Sequence, residues 1–206
     1  MPEKKLTDFQ MDALQEVGNI GAGSSAVALT QFLNRATYMS IPKVTLDKLN
    51  TLTKHIKMPE DRDIAIVSLT TVTDLMYTLL VFFDEDSVTK IVDLMTHGQT
   101  ITTLENLSPL YKSLIKEIGS ILALKYVEAI NFFLKANSFP SPPSFRKGSV
   151  SLLKENELKE LTEVSTVLFI ECDIFTSEKS ITVDLAIVPH EKTLERFIGA
   201  LFSENH

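Results

Sequence analysis

The chain has 206 residues, of which 44% are hydrophobic and 23% charged, a globular composition whose length suits one large domain or two small, tightly joined ones. Its formal net charge of -7 argues against a nucleic-acid backbone as partner, while it tolerates a basic docking surface. A single cysteine, Cys172, excludes an internal disulfide, and no run of 18 apolar residues or N-terminal apolar h-region occurs, so a soluble, cytoplasmic protein is expected.

Thr7-Asp8-Phe9-Gln10 is a capping-box pattern, with Thr7 at the N-cap and Gln10 three residues on. It predicts a helix over residues 8–34. At 3.6 residues per turn, Leu14, Val17, Gly21, Ser25, Leu29 and Phe32 share an apolar face, while Asp12, Glu16, Asn19 and Gly23 gather on the opposite one. Inside this helix lies Glu16-Val-Gly-Asn-Ile-Gly-Ala-Gly23. Each interior glycine costs a helix about 0.8–1 kcal/mol relative to alanine. Gly21 falls on the apolar face, where it lets another backbone come close. Gly23 falls beside Glu16 and Asn19, where it leaves room for a foreign group. The plain alternative is a frayed or kinked helix.

Extended runs follow, "TYMSIPKVTL", "IAIVSLTTV" and "LMYTLLVFF", rich in β-branched and aromatic residues. The segment "DEDSVTKIVDLMTHG" reads as a short helix with acids in its first turn and Gly98 as C-cap. Ser108-Pro109 then supplies an N-cap and an N1 proline for a second long helix reaching about Lys135. "FPSPPSF" leads into a strand read at "SVSLLK", and a small helix "ENELKELTE" follows. Strands "TVLFIECDIF", where Cys172 reads as a core thiol, and "SITVDLAIV" precede a last helix from about Glu191.

The chain repeats itself. Glu16 to Val44 lies without a gap on Glu117 to Phe145, 101 positions on, matching Glu16/Glu117, Gly18/Gly119, Ala22/Ala123, Leu33/Leu134 and Pro42/Pro143. One repetition is too few for a solenoid. The expected fold class is α+β: a single domain over residues 1–206, internally duplicated as helix–strands–helix halves (about 7–100 and 107–206). The halves are expected to be related by a pseudo-two-fold, with long helices packed on a mostly antiparallel sheet.

Several chemistries are disfavoured. "GNIGAG" runs G-x-x-G-x-G, the reverse of the dinucleotide fingerprint, and follows no strand. His55, His97, His190 and His206 are scattered, without metal spacing, and no nucleophile elbow is present. What remains is Glu16-x-x-Asn19, three apart on one exposed face. A carboxylate can grip an ammonium or guanidinium. A carboxamide both donates and accepts hydrogen bonds, so it can orient a water. Such groups suit a reaction whose chemical machinery already sits on the partner; a merely solvated polar face is the plain alternative.

The stretches "DALQEVGNIGAGSSAVALTQFLN" with "IPKV", and "LYKSLIKEIGSILALKYVEAINFFL" with "SPP", resemble the CheC family of chemotaxis phosphatases, to which CheX and the N-terminal part of FliY are related. The resemblance covers essentially the whole chain. It implies hydrolysis of the aspartyl-phosphate of the response regulator CheY, with Glu16 binding a lysine of the regulator and Asn19 aiming the attacking water. It implies no cofactor of the chain's own, Mg²⁺ being held by the regulator. At the second motif Glu117 is kept, but Ser120 stands where the family's stronger centres carry asparagine, and Leu122 and Leu124 replace the glycines. Glu117 and Ser120 are therefore read as a degenerate second site. The resemblance also implies CheD, a receptor deamidase, as partner at the segment Lys154 to Val164. Two other readings are a weakly catalytic adaptor binding CheD or phospho-CheY, and a flagellar-switch component like FliY. The second is ranked lower on the expectation that no further domain follows His206.

Overall fold

In the computed structural model the first helix, α1 (Asp8–Leu33), starts as its capping box dictates. The Thr7 hydroxyl accepts the Gln10 N–H at 3.3 Å, and the Gln10 carboxamide oxygen accepts the Thr7 N–H at 2.8 Å. A cap of this kind contributes about 0.5–2 kcal/mol. Asn34, in the left-handed region at φ 50°, ends the helix one residue earlier than predicted. The structure describes residues 7–48, 51–55, 62–96, 104–150 and 166–190, together with 193 and 196.

After α1 come β1 (Thr37–Met39), β2 (Lys43–Lys48), a single turn α2 (Leu52–His55), β3 (Asp63–Thr73), β4 (Tyr77–Asp84) and α3 (Glu85–Thr96). A 3-10 turn at Leu104–Asn106 precedes α4 (Pro109–Leu134), which is capped by Ser108 and carries Pro109 at its first position. The chain continues through β5 (Ser138–Pro140), β6 (Ser144–Ser149), β7 (Thr166–Thr176) and β8 (Ser180–Pro189). The fold is α+β, long helices on an eight-stranded sheet in which every pairing is antiparallel.

Strand order is β1-β7-β8-β4-β3-β5, with β2 also on β7 and β6 also on β3. Exchanging the first four strands for the last four maps this order onto itself. Each early pair, β1 and β2 or β5 and β6, is laid on a long strand contributed by the opposite half of the chain. Neither half could therefore complete its sheet alone. The arrangement of elements is established by this pairing; common origin is a separate matter.

Central strands are buried on both faces, which is why they read as continuous apolar runs rather than strict alternation. Facing the helices lie Ala65, Val67 and Leu69 of β3, Leu79 and Val81 of β4, Ile170 and Cys172 of β7, and Val183 and Leu185 of β8. On the other face Ile64, Ile66, Leu80, Phe82, Phe169 and Val188 form a second cluster, against which the His55 ring lies 4.8 Å from that of Phe169. Cys172 is buried as expected, and burial pushes its thiol well above the ordinary range, followed by the nearby Asp184 and Asp173 carboxylates. It is no nucleophile.

Three details differ from the sequence reading. β6 begins at Ser144, directly after the prolines, rather than at Ser149, because pairing with β3 recruits "SFRKGS" despite its polarity. Phe32 is only partly buried, the true seam of α1 running through Leu29 and Leu33. The third concerns what Gly21 admits. It is not a backbone but the ring of Tyr126 from α4: a Cβ at Gly21 would sit 2.5 Å from both Cδ1 and Cε1 of that ring. The predicted Gly98 cap, the small helix at 155–163 and nearly all of the last helix lie outside the described residues.

The two glycines predict opposite outcomes. Among the described residues no atom lies within 4 Å of where a Cβ at Gly23 would stand, so Gly23→Ala should stabilise the fold by about 0.5–1 kcal/mol in equilibrium urea unfolding. Gly21→Ala should destabilise it by about 1 kcal/mol or more in the same experiment. There the overpacking of a fully buried ring, typically about 1–3 kcal/mol, exceeds the gain in helix propensity.

Candidate functional site

Helix α1 buries Leu14, Val17, Gly18, Gly21, Ala22, Ser25 and Leu29. With 100° between successive residues, this seam leaves Asp12, Glu16, Asn19 and Gly23 no direction but outward, and all four are exposed. Gly18 lets the helix settle on the next segment of chain: a Cβ there would lie 2.8 Å from Val44 and 3.3 Å from Pro42. The exposed strip is thus borne by a helix held from below by α4 and from the side by the approach to β2.

Glu16 and Asn19 lie side by side. The Asn19 Nδ2 group donates to Glu16 Oε2 at a long 3.5 Å. Glu16 forms no ion pair among the described residues, so its carboxylate is free for a cation brought by a partner. Gly23, one turn beyond Asn19, leaves the surface bare.

A third residue belongs to this group and escaped the sequence reading. Gln15 Nε2 donates to the Pro42 carbonyl at 2.7 Å and to Asn19 Oδ1 at 3.3 Å. The i,i+4 spacing of Gln15 and Asn19 was visible in the sequence. The Pro42 carbonyl, 27 residues away in sequence, was not.

The second motif is arranged differently. Glu117 is exposed, like Glu16. Ser120 is buried at 6% relative exposure, and its hydroxyl donates back to the Lys116 carbonyl at 2.5 Å, one turn earlier in α4. Ser120 is thus turned into its own helix and away from the surface. Leu124, a turn further on, is 37% exposed where Gly23 leaves a gap. Gly119 brings α4 against β3, where a Cβ would meet Val67 at 2.6 Å. The segment Lys154 to Val164, expected to face CheD, lies outside the described residues.

A family model described as the CheC-like family matches residues 9–46. The CheY-P phosphatase CheC of Bacillus subtilis is 28% identical over 205 residues, covering 95% of each chain. The chain is thus similar to the CheC-like family. Among solved structures, FliY of Thermotoga maritima superposes with a TM-score of 0.75 at 19% identity, covering 97% of this chain and 99% of that one. A FliG–FliM complex from H. pylori provides a chain that matches with a TM-score of 0.68 at 8% identity, over 94% of this chain and 100% of that one. At such identities these two speak for the fold.

The stretch matched by the CheC-like model, 9–46, contains Gln15, Glu16, Asn19, Gly23 and Pro42, and ends before α4. Among the described residues no helix is long and apolar enough to cross a membrane. The inward turn of Ser120 makes a prediction about stability. Ser120→Ala should be neutral or stabilising by a few tenths of a kcal/mol, since a back-bonded serine favours the helix less than alanine. Ser120→Asn, the substitution that restores the motif on paper, should destabilise by about 1–3 kcal/mol, because the larger carboxamide enters a buried position. Chemical denaturation of both variants measures this directly.

Proposed function

We propose that this chain is a phosphatase that hydrolyses the aspartyl-phosphate of the chemotaxis response regulator CheY, using Glu16 to dock and Asn19 to position water. The observation that carries this reading is the strip on α1: an unpaired carboxylate and a carboxamide side by side, exposed, next to a bare Gly23. Support also comes from the relative named CheY-P phosphatase CheC, which matches over nearly the whole chain.

An acyl phosphate is already an activated compound, so the chain need not supply a nucleophile or a base. Water attacks phosphorus in line, the bond from phosphorus to the aspartyl oxygen breaks, and inorganic phosphate leaves a free carboxylate. Asn19 Oδ1 accepts a hydrogen bond from the water and turns its lone pair toward phosphorus. Glu16 receives a lysine ammonium of the regulator, which fixes the helix against the regulator's site. Mg²⁺ belongs to the regulator in this scheme, and the chain contributes no metal of its own. Freezing one water in line accounts for a few kcal/mol of barrier, about what positioning can supply. CheD is a second proposed partner.

A binding-only reading has one observation in its favour. Ser120 is withdrawn from the surface of α4, so at most one of the two motifs offers both groups. Turnover separates the readings. Adding the chain to phosphorylated CheY with Mg²⁺ should speed phosphate loss. Asn19→Ala should remove most of that gain with little change in affinity, since the carboxamide acts on the water in the transition state. Glu16→Ala should instead weaken binding by roughly 1.5–3 kcal/mol, the worth of a charge-assisted contact, and added salt should act in the same direction. Tight binding without any acceleration would favour the binding-only reading, and full activity in Asn19→Ala would remove Asn19 from the chemistry.

A further inference from the structure

We infer that Gln15 is a positioning residue, tying the Asn19 carboxamide to the Pro42 carbonyl so that its oxygen is preset toward the attacking water. The functional half of this inference rests on the phosphatase reading above; the structural half does not.

A terminal carboxamide turns freely about its last torsion and has two nearly isosteric ends. The two ends do opposite things to a water. Oδ1 accepts its proton and leaves a lone pair free for phosphorus. Nδ2 would donate to that lone pair and blunt it. An exposed asparagine therefore needs something to choose the end it presents. Gln15 makes that choice: its Nε2 group has two hydrogens, one on the Pro42 carbonyl at 2.7 Å and one on Asn19 Oδ1 at 3.3 Å. Only an oxygen can accept there, so the reversed amide loses its partner. Glu16 Oε2 reinforces the choice from the other end by accepting from Nδ2. Oδ1 keeps a second lone pair for the water.

The anchor is firm. Pro42 is buried and leads into β2, which pairs with β7 over six residue pairs from Lys43↔Glu171 to Lys48↔Thr166. Val44 and Pro42 also close on Gly18, one turn of α1 from Gln15. The position of Asn19 is thus referred to the sheet and not to its helix alone. In α4 the equivalent of Gln15 is Lys116, whose carbonyl is taken by the Ser120 hydroxyl.

The test uses Gln15→Met, which keeps length and helix propensity but has no donor, with Gln15→Glu as a second variant that keeps the shape and reverses the polarity. In the first arm, NMR relaxation of the Asn19 side-chain amide is measured in the full chain without partner. Wild type should show a restrained carboxamide, and both variants should show a mobile one; equal mobility in all three would overturn the inference. In the second arm, turnover of phosphorylated CheY with Mg²⁺ is followed at several concentrations. Both variants should lose about tenfold or more in kcat, with KM within twofold and unfolding midpoints near wild type. An unchanged kcat, or a loss confined to KM, would overturn the positioning role. If wild type itself gives no acceleration, the phosphatase reading fails, and the first arm alone upholds or overturns the tether.

Discussion

A tyrosine ring seated over a glycine joins the two long helices. Tyr126 of α4 is fully buried, and its ring occupies the space that any side chain at position 21 of α1 would need. This contact helps set the rotation of α1 about its own axis, because a side chain at position 21 would have to displace the ring. Once the rotation is fixed, the outward direction of Glu16, Asn19 and Gly23 follows from helical geometry. The contact carries a cost: burial raises the pKa of the Tyr126 hydroxyl well above the ordinary phenol value, and the neighbouring Cys172 thiol adds to the shift. The three glycines of "GNIGAG" thus have three separate duties. Gly18 meets the approach to β2, Gly21 meets α4, and Gly23 meets none of the described residues.

The same arrangement of elements is used twice, while the chemistry of the exposed strip is present once. Helices α1 and α4 have equal length, begin with hydroxyl caps and end in left-handed residues, Asn34 and Lys135. β3 and β7 are of equal length with nearly the same burial pattern. Against this common frame, Asn19 is exposed and tethered, whereas Ser120 is buried and satisfied by its own helix. The bare patch at Gly23 is taken by Leu124. A pair of helices can share their packing and still differ in the groups they expose, because packing and surface are set by different residues of each turn.

How much of this was legible in the sequence depends on the range of the interaction. The caps of α1 and α4 were legible because a capping box and a Ser-Pro pair are local signals. So was the exposed strip, since the spacing of Glu16, Asn19 and Gly23 against Leu14, Val17 and Leu29 is read at 3.6 residues per turn. The start of β6 was not, because its polar sequence is a strand only through pairing with β3. The burial of Ser120 also depends on tertiary placement, for serine is small and neutral enough to sit on either side of α4. The Gln15–Pro42 hydrogen bond joins residues whose neighbourhood exists only after β2 has folded back along α1. Sequence matching to Glu117 and Ser120 already marked the second surface as degenerate; the fold adds that Ser120 is buried and bonded to its own helix.

The central claim is that the partner is met by the strip on α1 and not by its counterpart on α4. Backbone amide shifts of this chain, followed as phosphorylated CheY is added with Mg²⁺, test it most directly. The account predicts that perturbations concentrate at residues 12–27 and around Pro42, with the surface around Glu117 and Leu124 little changed. Perturbations centred on Glu117 and Leu124, with α1 silent, would contradict it.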